Sequence, residues 1–256
     1  MHKKIRHALI SGGTGGIGTS IVETFLSNEI TVTCLGRCEK SFEKLKRAVG
    51  SCDRLSFRTC DVTLRTEVNG VLKELSKDFG VIDALICCAG GVKTKPFHKL
   101  TDSDWHAVMN LNLHGTFNCI AEAINGMRSQ KFGRVVNVAS TAGLKGYAYV
   151  SGYCAAKHAV VGLTRALAEE TATLGVTVNA VCPGYTDTSI IRTGVENISK
   201  KTGRSQKEAL EHFTSVNPQK RLIMPKEVSS AVAWLCSENS DAITGQCISV
   251  SAGEVM

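Results

Sequence analysis

Tyr153 and Lys157 stand four residues apart in the run Tyr153-Cys154-Ala155-Ala156-Lys157, and Ser140 precedes the tyrosine by 13 residues. On a helix, positions i and i+4 share a face, so a phenol and an ammonium with this spacing can enter one pocket. A free tyrosine titrates near pH ~10, too high for ready proton exchange at neutral pH. A lysine cation one turn away favours the phenolate and lowers that value. A serine hydroxyl arriving from a neighbouring strand end would hold a carbonyl oxygen for protonation. The chemistry suggested is proton transfer to or from an oxygen. Alone, Tyr-x-x-x-Lys also fits a solvated helical pair, so the elements that position it decide.

The N-terminal region supplies a second kind of site. The apolar run His7-Ala8-Leu9-Ile10-Ser11 enters Gly12-Gly13-Thr14-Gly15-Gly16-Ile17-Gly18, and an amphipathic stretch from Ser20 to Asn28 follows. Strand, tight turn and helix is the context in which glycines let a pyrophosphate approach the backbone, with the helix N-terminus favouring the anion. The spacing is G-x-x-x-G-x-G, not the common G-x-G-x-x-G. A second apolar run, Ile30 to Leu35, ends in Gly36-Arg37 with no acid at its tip. A carboxylate there would bind the ribose 2′-hydroxyl of NAD, whereas an arginine accommodates the 2′-phosphate of NADP. The expectation is NADP(H), with a solvated loop arginine as the alternative.

With these motifs in order, the chain resembles the short-chain dehydrogenase/reductase family over nearly all its length. Ser11 to Gly18 resembles the family's Thr-Gly-x-x-x-Gly-Ile-Gly turn, with serine for threonine. Asp61-Val62 resembles the pair that lies along the adenine. Cys87-Cys88-Ala89-Gly90 stands where the family usually has Asn-Asn-Ala-Gly. Asn112-Leu113-His114-Gly115 resembles Asn-Leu-x-Gly, and Asn137-Val138-Ala139-Ser140 resembles the strand that delivers the catalytic serine. Pro183-Gly184-Tyr185-Thr186-Asp187-Thr188 resembles the segment that meets the nicotinamide. The resemblance implies that Asn112, Ser140, Tyr153 and Lys157 are catalytic. It implies that Gly12, Thr14, Gly15, Gly16, Ile17, Gly18, Arg37, Asp61, Val62, Ala89, Gly90, Tyr153, Lys157, Pro183, Gly184, Thr186 and Thr188 hold the cofactor. Tyr153 would give a proton to the forming alkoxide, and Lys157 would lower its pKa and hold the nicotinamide ribose. Ser140 would hydrogen-bond the carbonyl, and Asn112 would bind a water leading to solvent. Cys87 and Cys88 are expected to pack as small buried hydrophobes.

Strand-like runs recur at Ala8–Ser11, Ile30–Leu35, Leu55–Cys60, Ala84–Cys88, Arg134–Ala139, Thr177–Val181 and Gln246–Val250, separated by helix-period stretches. This alternation implies a parallel sheet covered on both faces. The expected fold is α/β: one Rossmann-type, doubly wound, seven-stranded parallel sheet with helices on both faces. Residues 1–256 would form a single catalytic domain of a length such folds reach undivided. The polar segment from 188 to 220 would be the family's lid over the substrate. Apolar stripes on Thr116–Gln130 and Gly152–Leu174 fit core packing, and by resemblance they also fit a partner interface in a homotetramer.

Hydrophobic residues make up 43% of the 256, and the net charge is +7. The basic surface carries no aromatic-basic interleaving or nucleic-acid module, and an anionic small substrate explains its sign as well. No apolar stretch reaches the ~20 residues that span a bilayer. The opening Met1-His2-Lys3-Lys4-Ile5-Arg6 leads into a strand and glycines, not into an apolar signal region with a cleavage site, so a cytoplasmic location is expected. Eleven scattered cysteines include no C-x-x-C, so no metal site is expected and a reduced state is the simplest account.

The turn, the lid length and Thr244-Gly245-Gln246 resemble 3-oxoacyl thioester reductases and 3-hydroxyacyl-CoA dehydrogenases, including acetoacetyl-CoA reductases. Lys131 and Arg134 are candidates for a phosphate of the pantetheine arm, and Leu174 before Gly175 favours CoA over a carrier protein. The alternatives are a free alcohol, sugar, steroid or polyketide ketone as substrate, or a non-catalytic NADP-binding protein.

Overall fold

Strands His7–Ser11 (β1), Thr31–Gly36 (β2), Leu55–Thr59 (β3), Ala84–Cys87 (β4), Gly133–Val138 (β5), Val176–Pro183 (β6) and Cys247–Val250 (β7) form one sheet in the computed structural model. The structure describes residues 4–50 and 52–256; Met1-His2-Lys3, half of the basic opening read above, lie outside the described residues. The strand order is β3-β2-β1-β4-β5-β6-β7 and every pairing is parallel. Chain order reverses between β1 and β4, which opens a crevice beyond the strands' carboxyl ends.

Helices Gly16–Ser27 (α1), Glu39–Val49 (α2), Arg65–Phe79 (α3), Asp102–Met109 (α4), Gly115–Gln130 (α5) and Ser151–Thr171 (α6) connect the strands through β6. Ser189–Thr202 (α7), Gln206–Thr214 (α8) and Pro225–Leu235 (α9) lie between β6 and β7. Successive strand side chains point to opposite faces, which splits the core in two. Ala8, Ile10, Val32, Ile86 and Val136 pack with Ile21, Val22 and Phe25 of α1 and Val228, Val232 and Leu235 of α9. Leu9, Leu35, Leu85 and Val135 pack instead with Val68 and Leu75 of α3 and Ile120 and Met127 of α5. Each fully buried Val, Leu, Ile, Phe or Met side chain among them contributes about 1.5–3 kcal/mol.

All seven strands read from the sequence are present. β6 runs further than Thr177–Val181, to Pro183, and so carries the chain directly into the Gly184 segment. Cys87 is buried as expected, but Cys88 is only half-buried, and all eleven cysteines are free thiols. No described helix is long and apolar enough to cross a membrane.

At the N-terminal edge the expectation for Arg134 fails. Arg134 is buried, its Nη2 is bonded to Asp241, and its guanidinium stacks 4.7 Å from the Phe132 ring. It is committed to the core, and its one unpartnered nitrogen, Nε, is buried out of a phosphate's reach. Lys131 caps α5 in the left-handed region, next to Gly175, where a Cβ would lie 2.3 Å from the Lys131 carbonyl. Both residues precede or begin β5, and Ser140 follows its far end. At ~3.3 Å per residue that separation is about 20 Å.

Candidate active site

Ser11 ends β1 and its hydroxyl accepts from the amides of Cys88 and Ala89, joining the glycine turn to the end of β4. Gly12 has φ +69, and a Cβ there would lie 2.7 Å from the backbone of Ala89. A Cβ on Gly18 would stand 2.2 Å from the Gly12 carbonyl. Only glycine allows this closure. The turn delivers Gly15, an N-cap without a side-chain bond, to α1, whose first turn holds no acid. The Gly15 amide donates to the Gly12 carbonyl at 3.0 Å, and the first-turn amides of α1 that follow have no intrahelical acceptor, an arrangement that suits a diphosphate.

Around this turn the other predicted segments converge. Thr188, at the start of α7, packs on Gly16 so closely that a Cβ on Gly16 would lie 2.7 Å from its methyl carbon. Pro183 and Gly184 lead to it, and Thr186 closes a local turn onto the Gly184 carbonyl at 3.0 Å. Arg37 follows β2, largely exposed, with Nη1 3.8 Å from Asp61. Bonds from the Thr63 amide and hydroxyl, and then Arg37, hold the Asp61 carboxyl below the usual carboxylate range. Val62 packs on α5, where a Cβ on Gly115 would lie 2.8 Å from it, and Asn118 donates to its carbonyl at 2.9 Å. Arg37 and Asp61-Val62 thus flank the crevice on its β2–β3 side, and Pro183 to Thr188 flank the other.

Ser140, Tyr153 and Lys157, the residues expected to transfer a proton, gather at the carboxyl end of β5. Ser140 caps a short turn over Thr141–Gly143, its hydroxyl accepting from the Ala142 amide at 3.1 Å. α6 carries Tyr153 and Lys157. Lys157 is 4% exposed, donates to the Val138 carbonyl at 2.8 Å, and holds its Nζ 5.7 Å from the Tyr153 ring centroid. Burial pushes its ammonium down to about 8, against the thiols of Cys88, Cys182 and Cys87. Burial also pushes the Tyr153 phenol up to about 12, against a hydrogen bond from Ser140.

This corrects the expected direction of the tyrosine shift. At i,i+4 the lysine's charge would favour the phenolate, but the desolvation both groups undergo when they turn into the same crevice outweighs it. Burial therefore favours the neutral phenol.

Asn112 sits on a single π-helical turn, Asn110–His114, between α4 and α5. Its buried side-chain amide donates to the carbonyls of Gly91 and Val108, and its oxygen accepts from the Gly91 amide. A Cβ on Gly90 would lie 2.8 Å from that oxygen and 3.6 Å from Lys157 Nζ. Asn112 therefore pins the Ala89–Gly91 loop beside the lysine, a role its motif did not announce. Such π turns recur at functional sites. Gly143 was also missed: a Cβ there would meet the Lys157 carbonyl at 2.7 Å, so only glycine lets the Ser140 turn lie flat on α6.

A doubly wound parallel sheet, a glycine turn at its switch point and a Ser–Tyr–Lys group at the adjoining strand end define a nucleotide-dependent oxidoreductase of the Rossmann type. Residues 6–198 match the model of the short chain dehydrogenase family, and the chain belongs to that family. It is 34% identical over 257 residues to an acetoacetyl-CoA reductase of Allochromatium vinosum, covering 98% of this chain and 99% of that one. Another acetoacetyl-CoA reductase, from Shinella zoogloeoides, is 36% identical over 254 residues, covering 97% and 98%. A variant of actinorhodin polyketide ketoreductase solved with NADPH superposes with TM-score 0.91 at 33% identity, covering 98% and 97%.

Proposed function

We propose that the chain is an NADP(H)-dependent reductase of 3-oxoacyl thioesters, acting on acetoacetyl-CoA or a close analogue. The observation that carries it is the buried Lys157, held by a backbone carbonyl 5.7 Å from the Tyr153 ring, whose phenol Ser140 also touches. The cofactor fits these residues: Cβ atoms at Gly12 and Gly18 would meet the Ala89 backbone and the Gly12 carbonyl, so only glycine lets the turn close and present the start of α1 to a diphosphate. When bound, NADPH supplies the hydride to the carbonyl carbon.

The chain's own groups do the rest. The amides of Thr14 to Ile17 would hold the diphosphate, Arg37 the 2′-phosphate, Asp61 and Val62 the adenine side, and Ala89 and Gly90 the adenosine–nicotinamide linkage. Pro183, Gly184, Thr186 and Thr188 would orient the nicotinamide, and Lys157 its ribose. Ser140 would donate to the substrate carbonyl while Tyr153 passes its proton to the same oxygen as negative charge develops there. Lys157 would then steady the phenolate, and Asn112, by fixing the Ala89–Gly91 loop, would keep open the path by which the phenol regains a proton. The segment 188–220, helices α7 and α8, would close over the substrate. The exposed Phe117 on α5 would meet a partner subunit in a tetramer.

The identity with two acetoacetyl-CoA reductases supports the thioester, and the kinship with a polyketide ketoreductase supports a polyketide ketone as the second reading, for which a free cyclic ketone is the accessible probe. Oxidation of NADPH and of NADH with acetoacetyl-CoA, set against a free cyclic ketone, tests both. The expected result is turnover of the thioester with at least about tenfold preference for NADPH, the scale of one charge-assisted contact. Preference for NADH overturns the role of Arg37, and turnover of the free ketone alone overturns the thioester.

A further inference from the structure

The end of the chain holds a buried carboxylate that the chemistry above does not use. Glu254 has a side chain that is 0% exposed. Its Oε1 accepts from the Tyr147 hydroxyl and lies 3.1 Å from Lys145 Nζ. Its Oε2, equally buried, has no hydrogen-bond partner, and a Cβ on Gly184 would lie 2.9 Å from it. A buried carboxylate oxygen left unpaired is costly, so its presence calls for a reason.

The surroundings suggest one. Ala252 and Gly253 both take positive φ, 54 and 84, and this tight turn swings Glu254 inward. Tyr147 also bonds Thr141 at 2.7 Å, and Thr141 directly follows Ser140. A phenol has one proton: it goes to the carboxylate, and Thr141 donates to the phenol oxygen in turn. The chain Glu254–Tyr147–Thr141 therefore ends one residue from the serine. Tyr147 meets the Tyr185 ring edge-on at 6.1 Å, and Tyr185 meets Phe213 of α8 at 5.1 Å. Gly253 abuts Pro218, just past α8, where a Cβ would lie 3.0 Å from the proline ring. The tail thus touches the serine turn, the Pro183-Gly184 segment and the base of the 188–220 segment at once.

We propose that Glu254 is a positioning residue: by holding Tyr147 it sets an aromatic wall of Tyr147, Tyr185 and Phe213 against which the substrate's chain lies beside Ser140 and Tyr153, and so governs which ketones are accepted. This role rests on the carbonyl-reduction part of the function proposed above, and not on the thioester. It is therefore measured on whichever ketone the wild-type protein reduces, so loss of the thioester reading leaves it testable.

The variants are Tyr147→Phe, which keeps the ring, Glu254→Ala, Glu254→Gln and the double variant Tyr147→Phe/Glu254→Ala. Steady-state kinetics on a short and a longer 3-oxoacyl substrate, or on a small and a larger cyclic ketone, would be read beside the NADPH Kd and the melting temperature. Tyr147→Phe and Glu254→Ala should each lower kcat/KM about tenfold, mainly through KM, and shift the short-to-long ratio by about fivefold, while the NADPH Kd stays within about twofold. The double variant should be no worse than about the poorer single, because both remove one bond. Glu254→Gln, which can still accept from Tyr147, should recover most of the loss. An unchanged substrate ratio in a folded Tyr147→Phe, or single losses that multiply in the double variant, would overturn the assignment.

Discussion

Strand β5 touches a buried cation at each end, and the two are treated in opposite ways. Arg134, at the N-terminal end, is 3% exposed and is given a carboxylate, a backbone carbonyl and an aromatic face. Lys157, reaching the C-terminal end, is 4% exposed and is given one backbone carbonyl and a ring of thiols; among the described residues it forms no ion pair. A carboxylate next to Lys157 would satisfy its charge and leave none for a phenolate or a ribose. The contrast fits the roles proposed for them: Arg134, which would hold the fold together, is paired, and Lys157, proposed to work on a reacting oxygen, is left short of partners.

The largest effect that would break this contrast comes from Lys157→Met. Reductive kcat/KM should fall by about 10² or more, the range of lost acid–base support. The same change should raise the melting temperature. Unfolded, Lys157 keeps its proton to the ordinary value of 10.5, and folded it loses it near about 8. Below about 8 the site costs the fold about 3 kcal/mol at most, and that cost shrinks as pH rises toward 10.5 because the unfolded chain then holds the extra proton. A variant that loses both activity and stability at neutral pH would place Lys157 with Arg134 as a structural cation.

A second effect of similar size belongs to His7, which opens β1 near the same edge as Arg134. It is buried, bonds Thr33 through Nε2 at 2.9 Å, and has an unpartnered Nδ1. Burial pushes its imidazole down to about 4 from an ordinary 6.5. The unfolded chain binds the extra proton between those values, so stability should fall by about 3 kcal/mol as pH drops through that window. Chemical denaturation across the window measures it, and His7→Gln should remove most of the slope. The smallest effect is Arg134→Met. It should cost about 2 kcal/mol, less than a fully buried pair because Asp241 is 57% exposed, and leave kcat unchanged.

The strands and the crevice were legible because their signals are local. Apolar runs of strand length, glycines at tight closures and the Tyr153–Lys157 spacing each lie within a few residues of one another. What escaped depends on residues far apart in the chain. Arg134 found Asp241, and Tyr147 found Glu254, each across 107 residues, and neither pairing has a sequence signature. The tyrosine's direction of shift was misread for the same reason, since burial is set by the fold around the helix and not by the helix. Gly115 and Gly143 were visible as glycines, but their purpose appears only when Val62 and the Lys157 carbonyl are seen against them.

The most direct measurement is NADPH oxidation by Tyr153→Phe, with NADPH binding followed by its fluorescence in parallel. A phenol that supplies the proton predicts a loss of about 10² or more in kcat with the cofactor Kd unchanged. Turnover at the wild-type rate in a variant that binds NADPH normally would contradict it.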